Sequence, residues 1–286
     1  MPSAVRRPPQ AAGWRRRLFK TWDETRKVPE GGRLVWYTGA STVEHWTDHW
    51  GRVEPRALLE AAAAGRYPFR ALFRRLLESD APIIEGGCGP GHIVRGLQRD
   101  GYRAIGIEWS AEVVRMVRAI APDCDIRQGD VRRLEFPDGY AGAYISLGVV
   151  EHFRDGPDAV LNEAARVVRP GGWLILSVPY FSPWRRLKAA WRCYPAPPVT
   201  PDPSRFYQYA FSIGEMSAIL RRSGFTLVRT DGLGVLTGFG REFGRPGEWL
   251  RRFPPSAAAL SAAERVQPLR RLFGHTVLFI ARKPAR

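Results

Sequence analysis

A chain of 286 residues with 44% apolar content has the size and composition of one large soluble domain with embellishments, or of one domain and a small partner. Its three cysteines form no C-x-x-C pair, which argues against a disulfide scaffold or zinc site and fits a reducing, cytoplasmic setting; Met1 to Lys20 has no signal-peptide core, and no apolar run reaches bilayer length. The net charge of +16 is nearly all arginine and attracts polyanions, although the arginines are dispersed as a general compositional preference would disperse them.

In chain order, residues 1–35 mix Arg, Pro and Gly with little periodicity and read as a basic, mobile arm. Residues 36–80 read as an N-terminal helical cap: Trp46, His49 and Trp50 share helical spacing, and Phe69, Leu72, Phe73, Leu76 and Leu77 form an amphipathic stripe. The aromatic helix either packs on the main domain or forms a flap over its site. Ile83 and Ile84 then open a short buried strand that runs into Glu85-Gly86-Gly87-Cys88-Gly89-Pro90-Gly91 and a helix start. Tyr102 to Glu108 is a second strand ending in a carboxylate, and Ser110 caps the next helix. Asp125 to Gln128 is a third strand, leading to Gly129-Asp130-Val131, and Gly142 to Val150 a fourth, ending at Glu151-His152. Pro170-Gly171-Gly172 separates a helix from a fifth strand, and Ser212 with Glu215 is a capping box. Phe225 to Arg229 and His275 to Ala281 supply a sixth and a seventh strand, with insertions at about 181–210 and 233–273 that are too long for simple turns.

A dinucleotide turn needs G-x-G-x-x-G, but His92 stands where its last glycine belongs. The spacing Glu85-x-Gly87-x-Gly89-x-Gly91 instead resembles the first motif of the class I, Rossmann-like S-adenosylmethionine (SAM) dependent methyltransferases, of the branch acting on small molecules. Glu108, the Gly129-Asp130 pair, the fourth strand and Pro170-Gly171-Gly172 follow in that family's order. The resemblance covers residues 80 to 232 and the last dozen, and assigns residues 81–286 to the catalytic domain. It implies an α/β fold with a doubly wound, mostly parallel seven-stranded sheet, its last strand antiparallel between the fifth and sixth. It also implies SAM as cofactor, held by Glu85, Gly87, Gly89, Gly91, Glu108, Asp130, Val131 and Leu147. In this scheme Glu108 meets the ribose hydroxyls and Asp130 the adenine amino group.

Methyl transfer is a direct displacement, so positioning and exclusion of water carry much of the work. A hydroxyl acceptor also needs a base, and His152, with Glu151 beside it, follows the strand whose end faces the methyl. His152 either serves as that base or packs the following helix. Some relatives bind metal through E-x-x-E-H; Gly148 replaces the first carboxylate here, so no metal is expected. Ser146-Leu147-Gly148-Val149 lacks the motif that holds a base amine, which disfavours nucleic acid beyond non-specific binding. The expected reaction is methylation of a small-molecule acceptor at oxygen. The alternatives are RNA, a membrane-bound glycan or lipid intermediate, or a non-catalytic SAM-binding scaffold. Arg15 to Lys20 and the second insertion, where Trp249, Leu250, Phe253, Leu269, Leu272 and Phe273 alternate with arginines, suit weak contact with an anionic membrane or a packed lid.

Overall fold

Ile83 and Ile84 are neighbours on one strand, so their side chains leave opposite faces, and both faces of that strand must be covered. A computed structural model, which describes residues 27–37, 39, 41–196, 203–252 and 262–285, shows how they are. Lys27–Glu30 (β1) and Arg33–Tyr37 (β2) precede the helices Val43–Arg52 (α1), Pro55–Ala63 (α2) and Arg70–Leu76 (α3). Alternation begins with Ile83–Gly86 (β3), His92–Arg99 (α4), Ala104–Glu108 (β4), Ala111–Ile120 (α5), Ile126–Gln128 (β5) and Ala141–Leu147 (β6). A 3-10 turn at Val150–His152 leads to Asp158–Val167 (α6), Val168–Pro179 (β7) and Pro183–Ala190 (α7), and another at Pro203–Arg205 leads to Phe206–Ala210 (β8). Ile213–Arg222 (α8), Thr226–Leu233 (β9), Val235–Arg252 (α9), Gln267–Phe273 (α10) and Thr276–Arg282 (β10) complete the described chain.

The main sheet has the order β5-β4-β3-β6-β7-β10-β9. β10 is antiparallel to both β7 and β9, and the pairs from β5 through β7 are parallel. The sheet is therefore doubly wound and mostly parallel, with the last strand reversed, as expected. Ile84, Ile105 and Tyr144 pack on one face with Val160, Leu161 and Phe225. Ile83, Ala104 and Ile145 pack on the other with Phe73, Val94 and Val117. Phe73, at the centre of the predicted amphipathic stripe, is fully buried. Cys88, Cys124 and Cys193 are all buried and unbridged.

Capping follows the sequence with one exception. Ser110 Oγ accepts from Val113 N–H, and Ser212 Oγ from Glu215 N–H, each at 3.2 Å. Glu215 does not complete the reciprocal box: its carboxylate reaches across to Arg33 on β2. A pair of full charges replaces the carboxylate's bond to a single neutral backbone N–H.

A second sheet, β1-β2-β8, was not foreseen. Residues 27–35, read as part of the arm, belong to a hairpin of two strands here, and Lys27 is fully buried; residues 1–26 lie outside the described residues. Gly31 and Gly32, with φ of +56° and +82°, form a two-residue turn between the paired Glu30 and Arg33. Two successive positive φ values require residues of this kind, and the resulting hairpin matches strand twist. Leu34 and Trp36 of β2 pack with Phe181, Tyr194 and Ala210. The first insertion thus contributes α7 and the strand that completes this sheet.

Glu242 on α9 ties these additions to the core. Its buried carboxylate accepts from Arg185 Nε at 2.8 Å, Lys188 Nζ at 3.0 Å, Lys27 Nζ at 3.4 Å and the Tyr194 hydroxyl at 2.7 Å. Burial alone would raise its pKa, but the surrounding cations hold it well below the usual carboxylate range. Arg185 also donates to the Tyr180 carbonyl at 2.7 Å and to that of His275 at 3.2 Å, at the adjoining ends of β7 and β10. Removing one partner from a buried ionic group costs about 3–5 kcal/mol. Glu242→Gln is expected to lose stability of that order in urea unfolding, whereas Asp125→Asn, which breaks a surface pair with Arg127, should leave the midpoint nearly unchanged.

Candidate functional site

The strand order reverses between β3 and β6, and a crevice opens there outside the carboxyl ends of the strands. A cavity of about 340 Å³ occupies this place. Its floor is Gly87 after β3, Glu108 at the end of β4, Gly129-Asp130-Val131 after β5, and Leu147-Gly148-Val149 after β6. Trp46 and Trp50 of α1, with Trp109 and Phe153, supply aromatic walls, and Ser41, Arg132, His152 and Arg154 the nearby polar groups.

The expected cofactor residues divide between the cavity wall and its support. Gly87, Glu108, Asp130, Val131 and Leu147 line the cavity. Gly89, Gly91 and Glu85 stand behind it. A Cβ on Gly91 would come within 2.1 Å of Ile126, and one on Gly89 within 2.5 Å of the Trp50 ring, so neither position has room for a side chain. A Cβ on Gly87 would lie 2.5 Å from Val149. Glu85 is buried with Oε2 unpartnered, and burial, with Glu108 nearby, raises its pKa well above the usual range.

Glu108 is held in place. Oε2 accepts from Gly89 N–H at 3.0 Å and Oε1 from Ser110 N–H at 2.9 Å, leaving a lone pair on each oxygen. Burial raises its pKa, and these backbone donors work in the opposite direction. Asp130 is forked by Arg132, whose Nη2 lies 2.6 Å from Oδ2, and Arg132 N–H adds a further bond at 2.8 Å. Those bonds lower the Asp130 pKa, and a ligand donor must share the carboxylate with them.

His152 stands at the β6 end of the cavity. Its Nδ1 is 2.8 Å from the Tyr207 carbonyl and 3.0 Å from Ser41 Oγ, and the Ser41 hydroxyl donates to the same carbonyl at 3.0 Å. A carbonyl only accepts, so Nδ1 carries the proton and the neutral ring presents Nε2 as a lone pair. Burial holds the His152 pKa down to about 4, so the ring is neutral at pH 7. Trp46 and Tyr207 meet the ring edge-on, each 4.9 Å between centroids. Neither Ser41 nor Tyr207 was picked out from sequence, and Tyr207 reaches the site only through β8. The aromatic spacing did point to α1, whose Thr47 hydroxyl also lies 2.7 Å from that of Ser110.

Glu151 faces inward. It is buried, Oε2 has no partner, Oε1 is 3.9 Å from His152 Nε2, and burial pushes its pKa up to about 8. Among the described residues no group of three His, Cys, Asp or Glu is placed to hold a metal ion.

A family model described as a methyltransferase domain (Methyltransf_11) matches residues 84–176. A protein of Mycolicibacterium smegmatis named as a probable SAM-dependent methyltransferase is 32% identical over 161 residues, covering 55% of this chain and 56% of that one. The ubiquinone biosynthesis O-methyltransferase of Erwinia tasmaniensis is 27% identical over 114 residues, covering 38% and 44%. The chain thus spans about half the length of these curated relatives. Among solved structures, a complex of the Haloferax volcanii Trm112 methyltransferase activator with a methyltransferase matches at a TM-score of 0.55 and 18% identity, covering 84% of this chain and 97% of that one. This last likeness concerns the fold.

Glu151 and His152 give stability opposite pH dependences. A carboxyl whose folded pKa is raised from 4.5 to about 8 contributes stability that is present below pH 4.5 and lost as pH rises through 8. A histidine lowered from 6.5 to about 4 contributes stability present above pH 6.5 and lost as pH falls through 4. At about 1.4 kcal/mol per unit of displacement, Glu151→Gln is expected to be more stable than the parent at pH 8 by several kcal/mol and similar to it at pH 4.5. Urea midpoints across that range check this.

The cavity suits a nucleoside with a charged tail: carboxylates end two adjacent strands, a glycine turn lies between them and β6, and Glu85 keeps an unpartnered oxygen beneath. Residues 84–176 match a methyltransferase domain, and over about half its length the chain is similar to a protein named as a probable SAM-dependent methyltransferase.

Proposed function

We propose that the protein transfers the SAM methyl group to an oxygen of a small-molecule acceptor, with His152 as the base. The observation that carries this reading is the Tyr207 carbonyl 2.8 Å from Nδ1, which commits the other ring nitrogen to accepting a proton. When bound, the cofactor supplies a methyl on a positively charged sulfur. Glu108 would take the ribose hydroxyls on its remaining lone pairs, and Asp130 with the Val131 N–H would hold the adenine edge. Leu147 packs at the β6 end, and Trp46 and Trp50 keep water from the reacting atoms.

A hydroxyl is a poor nucleophile until its proton leaves, whereas an amine carries its own lone pair; a positioned neutral imidazole is of most use to an oxygen acceptor. The proton passes from the acceptor to Nε2. The imidazolium that forms lies 3.9 Å from Glu151 Oε1, eases ionisation of that carboxyl, and lets the pair share the charge. A relative points the same way: the Erwinia tasmaniensis protein is an O-methyltransferase of ubiquinone biosynthesis.

His152→Gln is expected to lower turnover about 10²-fold or more, read as S-adenosylhomocysteine formed across a panel of phenols and alcohols, with SAM affinity unchanged in calorimetry. Full turnover in this variant overturns the assignment of the base. Glu108→Gln should do the reverse, weakening SAM by about 1.5–3 kcal/mol, the worth of a hydrogen bond to a charged group.

A further inference from the structure

Seven large apolar side chains are exposed among the described residues, and five of them, Leu187, Trp191, Trp249, Val266 and Leu272, belong to α7, α9, α10 or their ends. These helices adjoin one another: Trp184 of α7 stacks on Phe243 of α9 at 5.2 Å and meets Phe273 of α10 at 5.7 Å. α10 has no buried residue. Apolar and cationic residues alternate on this surface as Arg186-Leu187 and Arg271-Leu272. The two pairs lie on helices that pack against each other, α7 and α10, through Trp184 and Phe273.

Two acids on this side of the molecule are already engaged. Glu242 is buried in its ionic cluster, and Glu264 accepts from Leu236 N–H at 3.1 Å. Arg186, Arg192, Arg265 and Arg271 are exposed and form no ion pair among the described residues. The face also has a definite orientation. α7 leaves the carboxyl end of β7, and α10 enters β10 where Thr276 pairs with Pro179, so the helices project on the cavity's side of the sheet.

We propose that α7, α9 and α10 form a docking surface for an anionic lipid bilayer. Exposed leucines set between arginines fit a headgroup layer, which offers phosphates to the cations and acyl chains to the apolar groups. A nucleic-acid backbone satisfies the arginines and leaves the leucines in water. Docking in this way turns the cavity's side of the enzyme toward the membrane. The surface stands independently of the role of His152.

The test is co-flotation of the full chain with vesicles of phosphatidylcholine alone or mixed with phosphatidylglycerol. Flotation is expected with the anionic vesicles, little with the neutral ones, and release as salt rises. Leu187→Asp with Leu272→Asp should reduce the bound fraction about tenfold, and Arg186→Glu with Arg271→Glu at least as much. Retained SAM binding in both double variants shows that they are folded, and it is read separately from turnover. Equal flotation with neutral vesicles overturns the proposal. So does undiminished flotation of the leucine variant, which puts the binding elsewhere in the chain. So does RNA capture that displaces the vesicles and survives the leucine substitutions, which makes the face a polyanion site.

Discussion

The carboxylate of Glu242 meets cations from β1 and α7 while itself sitting on α9, and through Arg185 it is joined to the backbone where β7 ends and β10 begins. A lone buried charge of either sign would be expelled or neutralised; together they are tolerable only in one arrangement. That arrangement fixes how the accessory elements sit on the main sheet. β1 pairs with β2, β2 with β8, and β8 supplies the carbonyl that orients His152. The geometry at the cavity therefore depends on a cluster with which it shares no residue.

Two sheets consequently divide the work. The parallel sheet provides the crevice, because its strand order reverses between β3 and β6. The small antiparallel sheet lines none of that crevice; through Tyr207 it sets which nitrogen of one ring carries the proton. Dry surroundings hold His152 neutral and Glu151 protonated at once. Burial disfavours whichever form is charged, so the same environment moves an acid up and a base down. The Glu151–His152 pair thus rests without net charge at pH 7.

The parallel sheet was legible because its signals are local. Ile83-Ile84 before a glycine turn, Glu108 at the next strand end and Ser110 at a helix start each report on a few neighbouring residues. That Gly87 alone of Gly87, Gly89 and Gly91 lines the cavity was not legible, since all three have positive φ and at each a Cβ would meet a side chain distant in sequence. The second sheet was hidden for another reason. Leu34 pairs with Ala210 and Val35 with Tyr209, and no local pattern announces partners so far apart. Gly31-Gly32 was a fair hairpin signal, masked by the arginine- and proline-rich sequence around it. Glu215 misled because the box motif considers only its own helix, while Arg33 lies across the interface. Ser41 and Tyr207 became site residues through that same pairing.

The three cysteines carry a consequence of a different kind. Cys88 lies inside the glycine turn and Cys124 beneath it; burial raises both pKa values, that of Cys124 to about 12. A thiol that neither ionises nor reaches solvent is inert to alkylating agents and peroxide, so the glycine turn at the cavity is shielded from oxidative damage as long as the fold stays closed. Labelling at these positions then proceeds only through opening of the polypeptide. The chain carries its own clock for the breathing of its central strands, with no probe to introduce.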